Sequence, residues 1–487
     1  MKISISYPPL ASRKGVPLLA QNRQFQWFSE STYIYPMVPA YAATLLSQAG
    51  HEVVWDDGIA EEKSYDVWLH DLERIRPDVM MVETKTPVVK RHWKILDDVK
   101  RVLPDTKTVL VGDHVTALPQ ESMENSQVDF VLTGGDFDFL LFGLVEHLDG
   151  RHRDLEPGIW FRENGEIKNT GSFKLRHDLE SLPFIDRDLT RWELYAYRNG
   201  NYRRTPGTYT MVGRDCWYRR NGGCTFCSWP TLFPNFRVRS PESLVDEIEV
   251  LMERYRIREV FDDTGTFPVG GWLTEFCRLM IGRGLAEKIY FSCNMRFGAL
   301  SLGDYKLMKR AGFRMLLFGL ESASQRILDE INKGVTVEEM VDSCKKAKEA
   351  GLDVHITIMF GYPTASRQEE LHTYLLARKL MEEGYADTLQ STLLMPYPGS
   401  RLYETALEKS WLRYSPGEWE HWDMTEPVMK SLDMSPEEVK ELCDETYKLF
   451  MSPKYVLRRI TSIRSFEDLK FAFRGTRRVI GHIRDFR

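Results

Sequence analysis

No stretch of the 487 residues is apolar for long enough to span a bilayer, which excludes a helical membrane-spanning protein. Positive charge is not in excess. Lys and Arg number 65 against 71 Asp and Glu, leaving a net charge of −6 and a pI near 6.1. That excludes nucleic-acid binding driven by bulk charge. There is no internal repeat and no low-complexity segment. Cysteine is scarce, seven in all. Cys277, Cys293, Cys344 and Cys443 are scattered and are expected as buried thiols rather than disulfide partners. The opening MKISISYPPL reads as a strand followed by prolines, not a signal peptide, and the expected location is the cytoplasm. The remainder is ordinary for a globular chain, 43% hydrophobic and 28% charged, and long enough for two or three domains.

The other three cysteines, Cys216, Cys224 and Cys227, stand together as C-x7-C-x2-C. A hydrophobic run at 208–212 precedes them and predicts a short buried strand. Gly222 and Gly223 permit a sharp turn between the first two. Ser240, Pro241 and Glu242 then read as a helix start. Three thiols thus fall on a loop between a strand and a helix. A structural zinc site closes with four ligands. Three thiolates instead suit an iron–sulfur cube with one iron left open, able to bind a small chelating ligand. Zinc with a fourth ligand from elsewhere, or three unrelated buried cysteines, are the other readings of the spacing alone.

Residues 1–150 alternate predicted strands (2–6, 51–55, 77–82, 107–111, 129–132) with helices (39–50, 64–76, 91–102, 139–148), which implies a doubly wound, Rossmann-like parallel sheet. Ligands of such sheets sit beyond the carboxyl ends of the strands. There the loops carry Tyr7, Pro8 and Pro9; Glu83 to Pro87; Gly112 to Thr116; and Thr133 to Asp136. Small, hydroxyl and glycine residues suit a large ligand bearing phosphate and amide groups, although a nucleotide-binding domain would look similar. Residues 151–207 read as a linker containing a hairpin around Asn164-Gly165. Residues 208–400 give about six strand–helix units, a partial TIM-like (β/α)6 barrel with its chemistry at the carboxyl ends of the strands. Residues 401–487 read as a helical extension. Its last part is rich in arginine (Arg458, Arg459, Arg464, Arg474, Arg477, Arg478, Arg484) with Phe466, Phe471 and Phe473 between them. The expectation is a solvated helical face with a packed opposite side; the rival is a surface for an acidic partner or membrane headgroups. Tyr414, Trp419 and Trp422 are expected to cover the open end of the barrel.

The cysteine stretch, with Cys227-Ser228-Trp229-Pro230 and Arg239-Ser240-Pro241-Glu242, resembles the motif of the radical S-adenosylmethionine (SAM) family in its cobalamin-binding branch. The first gap is seven residues where three are usual. Val111 to Pro119 (VGDHVTALP) is similar to the Gly-Gly-Pro-His-x-Thr-Ala-x-Pro stretch of that branch, with Asp113 in place of proline. Thr133-Gly134-Gly135-Asp136 stands where a Gly-Glu-Gly-Glu type of loop is usual. The resemblance covers about residues 1–410. It implies a [4Fe-4S] cluster on Cys216, Cys224 and Cys227. It implies SAM against Phe226, Asp262 or Asp263, Arg296, Glu321 and Lys333. It implies cobalamin among Tyr7, Pro8, Thr84, Lys85, Thr86, Gly112, Asp113, His114, Val115, Thr116, Gly134, Gly135 and Asp136. The Asp-x-His-x-x-Gly motif that supplies a histidine to cobalt in other corrinoid proteins is missing, so His114 is expected as a neutral histidine hydrogen-bonded to backbone near the crevice.

The activity so implied is C-methylation of an unactivated carbon through a 5′-deoxyadenosyl radical and methylcobalamin. The acceptor is a small molecule or a protein or peptide residue, and the electron donor is of the ferredoxin or flavodoxin kind. Cyclisation or rearrangement without methyl transfer, and a non-catalytic corrinoid or iron–sulfur carrier, are the alternatives.

Overall fold

The computed structural model describes residues 1–19, 25–28, 31–151, 154–219 and 222–485, with side chains to 475. Arg220 and Asn221 of the cysteine loop, and the side chains of Arg477, Arg478 and Arg484, lie outside the described residues.

Two parallel sheets organise the chain. The first contains β1 (Lys2–Tyr7), β2 (Glu52–Asp57), β3 (Val79–Glu83), β4 (Lys107–Val111), β5 (Phe130–Leu132), β6 (Ile159–Glu163) and β7 (Glu166–Asn169), in the order β2-β1-β3-β4-β5-β6-β7. The first five run parallel. Its middle strand, VMMVE, is buried along its whole length, as a strand covered on both faces must be. Strand order reverses between β1 and β3, and such a switch point opens a crevice at the strand ends. The hairpin of segment 151–207 is taken up by this sheet: β6 pairs antiparallel with β5, and β7 with β6.

The second sheet is six parallel strands in sequence order: β8 (Gly207–Thr210), β9 (Glu259–Asp262), β10 (Tyr290–Met295), β11 (Phe313–Glu321), β12 (Asp353–Phe360) and β13 (Thr388–Leu393). Most helices between them start on hydroxyl caps, the helix Gly271–Gly282 with Gly270 before it being an exception. Ser240 accepts from Ser243 N with Pro241 at the first helical position, and Ser301, Thr336 and Ser366 each form a reciprocal capping box. The sheet stays open after β13. There the helix Pro436–Tyr447 covers it, and the Tyr447 hydroxyl receives the Ser391 N–H (3.0 Å) and donates to Ser391 O (2.6 Å). Those edge groups would otherwise be orphaned.

A buried ion cluster joins the two sheets. Arg214, just after β8, reaches Asp136 (2.9 Å) and Asp138 (2.5 Å) of the first domain, and Arg237 reaches Asp136 (2.7 Å). Among the described residues no helix is long and apolar enough to cross a membrane.

Candidate active site

The cysteine loop is held from several sides. Gly222 and Gly223 take φ of 84° and 83°, a region closed to most side chains. Gly223 O accepts from Asn332 Nδ2 (2.7 Å) and from Arg401. Thr225 N donates to Ile331 O (3.0 Å), and Thr225 O accepts from Leu402 N (2.9 Å). Cys227 N donates to Cys224 O (3.2 Å), closing the C-x2-C turn. Cys216 Sγ lies 2.9 Å from Thr266 Oγ1 and accepts from Tyr218 N (3.4 Å). All three cysteines are half-buried and outside any disulfide, whereas Cys277, Cys293, Cys344 and Cys443 are buried with their pKa pushed up by desolvation. The scattered cysteines therefore pack as inert core residues.

The three thiols border one cavity of about 240 Å³ inside the barrel. Phe226, Asp263, Arg296, Glu321 and Lys333 line it as well. Lys333 Nζ donates to Glu321 Oε1 at 2.8 Å. A side chain at Gly319 would collide with both groups. Arg296 lies 3.6 Å over the Tyr218 ring and donates to Lys333 O. Asp262 is not part of this wall. Its carboxylate is buried behind the strand end and accepts from Thr210 Oγ1 (2.9 Å), Val212 N (3.0 Å) and Thr264 N (3.1 Å). It anchors the start of the cysteine loop.

The cavity also has polar walls that the motif reading did not anticipate: Asn201, Tyr209, Asn294, His355, Thr357 and Gln390. Burial lowers the pKa of His355 to about 4, so its ring is neutral. Nδ1 is 2.9 Å from Thr388 Oγ1, and Nε2 has no partner among the described residues. The signal was present in β12, where His355 and Thr357 interrupt an apolar strand at a spacing of two and so face the same side as Met359.

At the switch point of the first sheet, Tyr7 donates to Glu83 Oε2 at 2.5 Å. Burial raises the Glu83 pKa to about 7 against the pull of Lys85. Lys85 Nζ reaches Asp113 at 3.2 Å. Burial disfavours the Lys85 cation, yet Asp113, Glu83 and, across the domain boundary, Asp263 hold its pKa above the ordinary value. His114 is buried with Nδ1 3.2 Å from Thr86 Oγ1 and Nε2 3.0 Å from Glu121 Oε2. Both ring nitrogens are engaged, through side chains rather than backbone. Trp419 donates to the same Glu121 (2.8 Å) and meets the His114 ring edge-on at 5.1 Å. Trp419 and Trp422 thus seal the seam between the domains. Tyr414 stacks instead on His421, at 3.8 Å.

Pro8 and Thr84 stand on loops around this crevice, whereas Val115 and Thr116 lie in a short helix, Asp113–Ala117, where a loop was expected. Thr116 Oγ1 donates to Gly112 O (2.7 Å) and accepts from Gly134 N (3.1 Å). Gly112 has no room for a side chain against Thr84 O. The fourth loop is occupied by packing. Gly134 lies against Phe173, Gly135 against Phe233 of the cysteine segment, and Asp136 is held by Arg214, Arg237 and His177. Burial works against the Asp136 carboxylate, but these cations bring its pKa well below the usual range.

The family model of the radical SAM superfamily matches residues 212–377, the segment that contains the cysteine loop and most of the barrel. Over that segment, 166 of the 487 residues, the chain carries a radical SAM domain. It is similar over 449 residues, at 28% identity, to an uncharacterized methyltransferase of Pyrococcus horikoshii, covering 91% of this chain and 94% of that one. It is 26% identical to the anaerobic magnesium-protoporphyrin IX monomethyl ester cyclase of Rubrivivax gelatinosus, over 87% of this chain and 74% of that one. Its fold is that of the radical SAM methyltransferase TsrM from Kitasatospora setae, solved with cobalamin and a [4Fe-4S] cluster (TM-score 0.65, 16% identity, 92% and 81% covered). It is also that of the cobalamin-dependent radical enzyme OxsB (TM-score 0.67, 14% identity, 99% and 71% covered).

The radical SAM donor set fits these residues. Three cysteines bordering one cavity would hold three irons of a cluster and leave its fourth iron open to the cavity. No three His, Cys, Asp or Glu side chains among the described residues converge tightly enough for a single metal ion.

Proposed function

We propose that the protein is a cobalamin-dependent radical SAM methyltransferase that methylates an unactivated carbon. The observation that carries this reading is the meeting of the two compartments. Ile34 of the first segment lines the cysteine cavity, a side chain at Gly399, two residues past Tyr397 of the cavity wall, would meet Ala117 of the short helix that begins with Asp113, and Gly135 N donates to Leu232 O of the cysteine segment (2.9 Å). A cofactor in the crevice and a nucleoside in the cavity would therefore face the same space. Together the cluster, SAM and cobalamin supply hydrogen abstraction and a methyl group.

The chain's own contribution is binding and orientation. Cys216, Cys224 and Cys227 hold the cluster. Phe226 offers an apolar surface to an adenine. Asp263 suits an ammonium, Arg296 and Lys333 suit a carboxylate, and Glu321 suits ribose hydroxyls. Tyr7, Lys85, Thr86, Asp113 and Thr116 offer hydroxyl, cationic and carboxylate groups to the amide-rich rim of a corrinoid. Asn201, Tyr209, His355 and Gln390 leave room for an acceptor with hydrogen-bonding groups, and Trp419 and Trp422 exclude water at the seam.

The test is anaerobic purification, reconstitution with iron, sulfide and cobalamin, and incubation with SAM carrying a labelled methyl group. Reductant-dependent 5′-deoxyadenosine, lost in Cys224→Ala, together with label in an acceptor, supports the reading. The cyclase of Rubrivivax gelatinosus supports a second reading, radical chemistry without methyl transfer. Deoxyadenosine formation with no label in any product would decide for it.

A further inference from the structure

The last two helices, Pro453–Thr461 and Phe466–Asp485, present their large apolar side chains to water. Leu457, Ile460, Phe466 and Phe473 are 65%, 60%, 69% and 72% exposed. Charge is sorted the opposite way from a solvated face. The acids of this stretch turn inward: Glu467 pairs with Arg204 (3.3 Å) and Arg258 (2.5 Å), and Asp468 accepts from Arg203 Nε (2.8 Å). Arg474 also points in, donating to Tyr202 O (3.0 Å), and Phe471 lies 5.9 Å from Arg314. On the outer side Lys454, Arg464 and Lys470 are exposed, and no acid between 451 and 475 is. Lys470 Nζ sits 4.6 Å over the Phe466 ring. Between 451 and 475 the face expected to be solvated is thus apolar and its exposed charges are basic, with Lys454 lying 3.7 Å from the half-buried Glu382 of a neighbouring helix.

We propose that this surface docks on an anionic lipid bilayer. Apolar side chains bordered by cations, with Glu467 and Asp468 withdrawn toward the barrel, complement acyl chains below a negative headgroup layer. A second copy of the same face would set Lys454, Arg464 and Lys470 against themselves. The inner side of the helices rests on Arg203 and Arg314, at the amino ends of the barrel strands. A docked molecule therefore keeps its cysteine end turned to water.

The experiment is sedimentation of the full chain with vesicles of phosphatidylcholine alone and of phosphatidylcholine mixed with phosphatidylglycerol. Expected is association with the anionic vesicles only, weakened at least about tenfold in Phe466→Ser/Phe473→Ser and in Lys470→Glu with circular dichroism unchanged. Absence of association, or equal association of wild type and variants, overturns the proposal. So does self-association in sedimentation velocity that the serine variants abolish, which would make the face a dimer interface. Binding to soluble polyglutamate as strong as to vesicles, and indifferent to the serine variants, would assign it to an acidic protein.

Discussion

Glu321 and Lys333 meet at 2.8 Å on the wall of the cysteine cavity, and Glu321 holds this position with φ of 66° at the end of β11, where the strand register shifts. A non-glycine residue in that region costs about 1–3 kcal/mol, so the surrounding contacts must hold it there.

Replacing Lys333 with Met strips a buried carboxylate of its cation. A loss of about 3 kcal/mol in the denaturant stability of the cofactor-free protein is expected. The double variant Lys333→Met/Glu321→Gln recovers most of that stability. Neither recovers SAM affinity, which equilibrium dialysis of the reconstituted protein should show weakened at least about tenfold. Full stability with weak SAM binding in the single variant would mean that the pair carries no structural load.

Adjacent aspartates at the end of β9 should separate by role. Asp262→Asn keeps one acceptor oxygen and turns the other into an NH2 donor, so at least one of the three hydrogen bonds that fix the start of the cysteine loop is lost. It is expected to cost about 2–4 kcal/mol and to lower cluster content measured as iron per chain. Asp263→Asn, on the cavity wall, leaves stability within about 0.5 kcal/mol and weakens SAM binding.

That pair marks what could and could not be read from the chain. Alternation of apolar runs with amphipathic helices reveals both sheets, and Ser240-Pro241 places a helix start where one is found. The strand period of two also separates Asp263 from Asp262: Phe261 and Asp263 line the cavity, as do Leu317, Gly319 and Glu321 on β11. Long-range partners carry no such local signal. Nothing in Thr133 to Asp136 indicates that Arg214 and Arg237, about 80 and 100 residues on, would claim Asp136, or that Phe233 would fill the space over Gly135. Likewise the arginine-rich tail shows its charge in sequence, but the inward turn of Glu467 and Asp468 depends on Arg203, Arg204 and Arg258 from the barrel.

The buried Tyr7–Glu83 pair should make the first domain sensitive to pH. Glu83 is raised from the ordinary glutamate value to about 7, chiefly by desolvation. A raised acid favours the folded state fully below its unfolded pKa, near 4.5, and loses that contribution as pH climbs through 7. Urea denaturation of the cofactor-free protein should show this loss, and Glu83→Gln should remove it. At pH 8 the variant is expected to be the more stable, by about 2 kcal/mol. A variant with the same pH profile as wild type would place the titration elsewhere.

The Arg214 cluster should set how the two sheets unfold. Arg214→Met leaves Asp136 and Asp138 buried beside each other without their shared cation, at a cost of about 3–5 kcal/mol. Because those carboxylates belong to the first domain and the arginine to the barrel, the loss falls on the boundary. Calorimetry should then resolve two transitions where wild type shows one. His177 gives the same boundary a pH limit. Burial lowers its pKa, but Asp136 and Glu156 more than offset this and bring it to about 9. A raised histidine contributes fully below its unfolded pKa of 6.5 and ceases to as pH rises through 9. The depressed Asp136 contributes above the ordinary aspartate value and fades as pH falls below it. The boundary is therefore tightest from roughly pH 4 to 6.5. His177→Gln should abolish the alkaline loosening while leaving the acid limb in place, and an Arg214→Met separation between the two transitions that does not change from pH 6 to pH 10 would remove His177 from the account.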